Sequence, residues 1–193
     1  MDIVIATNNK GKLAEIKKIL SGHNVLSQND VGAFVDVEET GTTYEENAIL
    51  KAEAVRKFTD KIIIADDSGL EVDVLGGEPG LYSARYAGDG TTPDQGMDKL
   101  LKNLEGYSFN EKTARFVSCI VAIMPNGETH SFYGECEGYI IDEKRGDNGF
   151  GFDPVFWVEE YGRTFAEISD EEKNRISHRY RALYKLKEFL DTI

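Results

Sequence analysis

The chain has 193 residues, 40% of them hydrophobic and 10% aromatic, which is enough to build a packed core and excludes a disordered polymer. Its 22 Lys and Arg face 35 Asp and Glu, a formal charge of −13. That balance argues against broad binding to duplex nucleic acid, whose affinity comes from cations neutralising phosphates, but leaves room for a small anionic ligand met by a few local cations and a bridging metal.

Asp2 to Ala6 is a short β-branched run, the pattern of a buried strand. It leads through Thr7-Asn8-Asn9-Lys10-Gly11 into a helical pattern with Leu13, Ile16, Ile19 and Leu20 on one face. Thr43 and Glu46 have the spacing of a capping box and open a helix to about Phe58, with Ala48, Ala52 and Val55 inward. Lys61 to Ala65 is a second buried strand, expected to end at Asp66-Asp67-Ser68-Gly69, with Leu70 to Leu75 extended and a loop at Gly76 to Gly80. Thr92 followed by Pro93 starts a helix carrying Met97, Leu100, Leu101 and Leu104.

Arg115–Met124 and Glu128–Tyr139 are strand-like and flank Pro125-Asn126-Gly127, a hairpin signal because Asn-Gly tolerates positive φ. Gly146 to Gly151 leads into a further extended stretch. Ser169 with Glu172 opens the last helix, with Ala182, Leu183, Leu186 and Leu190 as its buried stripe. No linker or repeat interrupts the chain, so the expectation is one α/β domain, residues 1–193, with a mixed sheet. Cys119 and Cys136 lack metal-ligand spacing and read as reduced core residues. No apolar run approaches the roughly 18 residues of a membrane span, and the first twelve residues lack the pattern of a secretory signal. A cytoplasmic protein is expected.

Three segments could carry chemistry. The turn Thr7 to Lys12 joins a strand to a helix start, where backbone N–H groups and the dipole favour an anion, with Lys10 and Lys12 adding charge and Asn8 and Asn9 adding donors. An ordinary turn with solvated lysines is the alternative, and the Walker A spacing is absent. Asp66 and Asp67 should diverge because side chains alternate along a strand. Either could be a turn former, or one could share Mg²⁺ with a carboxylate of Glu38-Glu39. Phe150-Gly151-Phe152-Asp153 pairs glycine with rings able to stack on a base, and Lys173, His178 and Arg179 add cations and donors; a charged, solvated helix start is the alternative.

In this order the segments IATNNKGKLAEI, EETGTTYEENAILKA, IADDSGLEVDVLGGEPGLYSARYAG, GFGFDPVF and TFAEISDEEKNRISHRYRAL resemble the inosine triphosphate pyrophosphatase family, which hydrolyses deaminated purine nucleoside triphosphates. The resemblance implies an elongated mixed sheet flanked by helices in two lobes with a cleft between them, as a homodimer. It implies that Thr7, Asn8, Asn9, Lys10, Gly11 and Lys12 cradle a triphosphate with help from Lys51. Asp67 would be the general base, with Glu39 and Asp67 near Mg²⁺. Ser68 and Arg85 would touch substrate, and Phe150, Gly151, Phe152, Asp153, Lys173, His178 and Arg179 would form the base pocket. The expected reaction is attack of water on the α-phosphorus of ITP, dITP or XTP, giving a monophosphate and pyrophosphate. The rivals are a pyrophosphatase of another nucleotide class and a non-catalytic nucleotide sensor.

Overall fold

Side-chain alternation along three parallel strands organises the first half of the chain. In the computed structural model, which describes residues 1–193, β1 (Asp2–Ile5) pairs in parallel with β2 (Asn24–Ser27) and with β3 (Ile62–Val72), Ile3 opposite Ile62 and Ile5 opposite Ile64. The seven strands hydrogen-bond in the order β2-β1-β3-β4-β5-β6-β7, where β4 is Thr113–Ile123, β5 Thr129–Ile140, β6 Phe156–Val158 and β7 Arg163–Thr164. The last two pairings are antiparallel, so the sheet is mixed as expected.

The chain divides into two compact units. One consists of Met1–Asp67, Ser118–Gly134 and His178–Ile193, the other of Ser68–Val117 and Glu135–Ser177. In the first unit both faces of the strands are covered, which explains their continuous apolar runs. Ile3, Ile5, Ile62 and Ile64 point to one face, packing with Ile16 of α1 (Lys10–Ile19), Leu20 at its C-cap, and Leu183, Leu186 and Leu190 of α5 (His178–Leu190). Val4, Ala6, Ile63 and Ala65 point to the other, against Ala48, Ala52 and Val55 of α2 (Tyr44–Arg56). The small alanines let α2 approach closely. Free Cys119 is buried on that second face.

The second unit packs Met97 and Leu100 of α3 (Pro93–Asn103) against Leu70, Val72 and an aromatic cluster. Phe116 stacks on Phe165 with centroids 5.6 Å apart and meets Phe156 edge-on at 4.5 Å. Cys136, which forms no disulfide, is buried in the same core. Thr92 caps α3 with Pro93 after it, as the sequence suggests, and Gln95 completes a capping box there.

Several expectations change. The strand expected to stop at Asp66 runs through Asp66-Asp67-Ser68-Gly69 to Val72, so the two aspartates lie in mid-strand. The single C-terminal helix is two: α4 (Asp170–Ile176), opened by the Ser169–Glu172 box, ends at Ser177, whose extended backbone (ψ 155°) lets α5 begin afresh at His178. α2 ends two residues before Phe58. Its Thr43 caps Glu46 N–H, but the Glu46 carboxylate accepts from Thr42 N–H and Oγ1. In the β4–β5 hairpin only Gly127 takes positive φ (88°). No helix is long and apolar enough to cross a membrane.

Gly134 is dictated by packing. A Cβ on Gly134 would lie 2.1 Å from the carbonyl oxygen of His178 and 2.6 Å from the amide nitrogen of Ala182, both backbone atoms of α5. Gly134→Ala should therefore force α5 away from β5 and destabilise the protein by about 1–3 kcal/mol, the usual range for overpacking. A urea melt checks this, and an unchanged midpoint would show that the helix yields freely.

Candidate active site

Alternation along β3 sends Asp66 to the Ile62/Ile64 face, towards α1 and α5, and Asp67 to the Ile63/Ala65 face, towards α2. Their surroundings differ accordingly. Asp66 is 1% exposed, and its Oδ2 accepts from Lys12 Nζ at 3.0 Å and from Arg179 Nη2 and Nε at 3.1 and 3.3 Å. Its Oδ1 accepts from Ser118 Oγ at 2.5 Å. Burial alone would raise this carboxyl, but Arg179, Lys12 and the Ser118 hydroxyl overrule it and hold it well below the usual carboxylate range. Arg179 Nη1 donates to Glu15, so its guanidinium joins β3, α1 and α5. Burial pulls the Lys12 ammonium below the ordinary lysine value, against the attraction of Asp66 and with repulsion from Lys51 and Arg179.

Asp67 has a different setting. Its Oδ1 accepts from Lys51 Nζ at 3.1 Å, while its Oδ2 is buried without a hydrogen-bond partner. Burial, with Glu39 nearby, raises its carboxyl above the ordinary value despite Lys51 and Lys12. Lys51 Nζ also donates to the Asp66 carbonyl at 2.9 Å and to Glu39 Oε1 at 3.4 Å. Burial would lower Lys51, but Asp67, Glu39 and Asp66 together raise it. One ammonium thus ties the Glu39 loop to β3.

The carboxylates of Glu39 and Asp67, brought together on one ammonium, are hard oxygen donors and suit Mg²⁺, which takes one or two protein carboxylates and completes its shell with water and phosphate oxygens. No cluster of three or more His, Cys, Asp or Glu forms a protein-only cage.

The Thr7–Lys12 turn is built as an α1 start. Asn9 Oδ1 caps Lys12 N–H, and Thr7 Oγ1 accepts from Asn9 N–H. The N–H groups of Lys10 and Gly11, in the first turn, have no intrahelical acceptor and can face an anion. Lys10 is exposed, whereas Lys12 is turned inward onto Asp66. Asn8 is less available than expected: its Nδ2 donates to the Val35 carbonyl at 2.9 Å and its Oδ1 accepts from the buried Gln28.

In the second unit, Lys173 Nζ is buried, donates to Asp153 Oδ2 at 2.6 Å and lies 4.8 Å from the Phe150 ring centroid. Asp153 Oδ2 also accepts from Phe150 N–H at 3.0 Å. Ring, carboxylate and ammonium are thus assembled, beside Gly151 at φ 62°. Phe152 is 6% exposed in the hydrophobic core, its ring against Gly96. Arg85 lies in a short 3-10 turn over the Tyr82 ring, and half-buried Ser68 follows Asp67 along β3.

All three guanidinium nitrogens of Arg179 donate to Asp66 and Glu15, so it braces the strand and the two helices. His178, 4% exposed, opens α5 beside it. Sequence reasoning missed Glu15 and Ser118. Glu15 lies three residues after Lys12 on α1, a spacing that could have suggested a shared face; Ser118 gave no local signal.

The sequence profile of the Ham1 family matches residues 3–189. A dITP/XTP pyrophosphatase of Bacillus licheniformis is 51% identical over 192 residues, covering 98% of each chain, and one of Bacillus subtilis is 48% identical over 98% of this chain and 97% of its own. The structure of the Staphylococcus aureus Ham1 protein superposes with TM-score 0.88 at 46% identity, covering 100% of this chain and 99% of that one. A HAM1 protein from Coxiella burnetii gives TM-score 0.88 at 39% identity, covering 100% of both.

The Asp66 environment sets a stability test. Asp66→Asn leaves Arg179 and Lys12 buried against a neutral amide, a loss of about 3–5 kcal/mol. Because its folded-state carboxyl lies below its unfolded value of about 3.9, its contribution is present above that pH and is lost as pH falls towards the folded value. Urea midpoints should thus fall on acidification in the wild type and be lower at pH 7, with a flatter acid limb, in Asp66→Asn. Wild-type stability of the variant at pH 7 would contradict this.

Proposed function

Because the chain belongs to the Ham1 family, we propose that it hydrolyses ITP, dITP and XTP to the monophosphate and pyrophosphate. Identity of 51% over nearly the whole length of a dITP/XTP pyrophosphatase supports the substrate class. The observation that carries the chemistry is Asp67, buried, held through Oδ1 by Lys51 and unpartnered at Oδ2.

Asp67 Oδ2 is the general base. It takes a proton from water as the water oxygen bonds to the α-phosphorus, and the bond from that phosphorus to the bridging oxygen breaks to release pyrophosphate. Glu39 and Asp67 would hold Mg²⁺, which when bound neutralises charge on the phosphate oxygens. Lys51 keeps Asp67 oriented, and exposed Lys10 with the first N–H groups of α1 binds phosphate.

His178 is assigned to donating towards a carbonyl at the purine six-position. Adenine presents an amino group there, and leaving a buried donor unpaired costs about 1–3 kcal/mol, roughly tenfold or more in kcat/KM. We extend the proposal to a cytoplasmic homodimer, on the strength of the resemblance to the inosine triphosphate pyrophosphatase family.

Pyrophosphate release with Mg²⁺ should favour dITP and XTP over dATP by at least about tenfold. Equal rates on all three would defeat the assignment. Asp67→Asn should lower kcat by at least about 10²-fold with nucleotide binding retained, since the amide keeps its shape but accepts no proton. Near-wild-type turnover of that variant would remove Asp67 as the base.

A further inference from the structure

The segment from Ala33 to Gly41, which carries Glu39, has no strand or helix to hold it, yet hydrogen bonds pin it at both ends. Upstream, Gln28 Nε2 and Asn8 Nδ2 both donate to the Val35 carbonyl, at 2.8 and 2.9 Å. Downstream, Gly41 N–H donates to the Asn47 Oδ1 at 2.7 Å. Asn47 is 1% exposed, a buried polar side chain among the alanines of α2. It lies four residues before Lys51, so the two share a helix face. Gly41 comes so close to α2 that a Cβ there would sit 2.6 Å from Asn47 Oδ1 and 3.0 Å from Asn47 N.

We infer that Asn47 is the positioning residue for Glu39. It fixes the backbone two residues beyond Glu39, on the same helix face from which Lys51 reaches Glu39 and Asp67. The buried amide supplies an acceptor where α2 begins, and residue 41 must be glycine for the loop to reach it. The ordering of the loop is completed in folding and need not be met when a cation and phosphate arrive. Glu39 is itself only partly shielded, its side chain 31% exposed, so its placement depends on the backbone more than on packing. The inference rests on the proposed pairing of Glu39 and Asp67 around a divalent cation.

The test uses the full chain and Mn²⁺ as the probe, read by electron paramagnetic resonance without turnover. Asn47→Ala should weaken Mn²⁺ binding by about 10–100-fold, the usual effect of removing an outer-shell partner. In dITP hydrolysis it should raise the Mg²⁺ concentration for half-maximal rate while kcat at saturating Mg²⁺ is largely recovered. Asn47→Asp keeps the acceptor for Gly41 N–H and should stay near wild-type Mn²⁺ affinity. Val55→Ala, which trims the α2 core away from the loop, should lower the melting temperature without moving Mn²⁺ affinity. Wild-type affinity in Asn47→Ala, while Glu39→Gln weakens binding, would overturn the positioning role alone. A Val55→Ala loss of affinity equal to that of Asn47→Ala would also overturn it. Unchanged affinity in Glu39→Gln would overturn the carboxylate pair, and the inference with it.

Discussion

Two aspartates sit side by side in the middle of a buried strand, and the first unit is organised around keeping both there. Period-two alternation turns one carboxylate to each face of β3. A buried, ionised carboxylate persists only if cations and donors replace the water it has lost. On one face Lys12, Arg179 and Ser118 do so for Asp66, and this draws the starts of α1 and α5 onto the strand. On the other, Lys51 alone reaches Asp67 and leaves one oxygen without a partner. The asymmetry separates a structural acid from a reactive one. Asp66 is held ionised by excess positive charge, whereas Asp67 is raised by burial and kept in place by a single ammonium.

The charge of −13 gains meaning from this arrangement. Lys12, Lys51 and Arg179 are committed to these two carboxylates and Glu15, so the field an anion would meet depends on where a few cations are fixed. Arg179 is the main brace. With Asp66 and Glu15 as partners, its guanidinium holds α5 at the break after Ser177, and His178 stands where that helix begins.

Much of this was legible in the chain. The alternation of Asp66 and Asp67, the Thr92 and Ser169 caps, and the apolar stripes of α2 and α5 follow from periodicity and capping chemistry that act within a few residues. What was not legible depends on distant partners. Asp-Ser-Gly reads locally as a turn, but ladder pairing and the cations around Asp66 carry the strand through it. The Ser169–Glu172 box predicts where a helix starts and says nothing of the extended residue at Ser177 that splits it. Phe152 looks like its neighbour Phe150 in sequence, and only packing against Gly96 makes it a core residue. Arg179 resembles an exposed donor until Asp66, 113 positions earlier, claims it.

The most direct test of the account is hydrolysis of dITP in ¹⁸O-enriched water, with both products analysed by mass spectrometry. Attack at the α-phosphorus, with Asp67 as base, predicts one ¹⁸O atom in the deoxyinosine monophosphate and none in the pyrophosphate. Label in the pyrophosphate, or release of labelled orthophosphate, would contradict it.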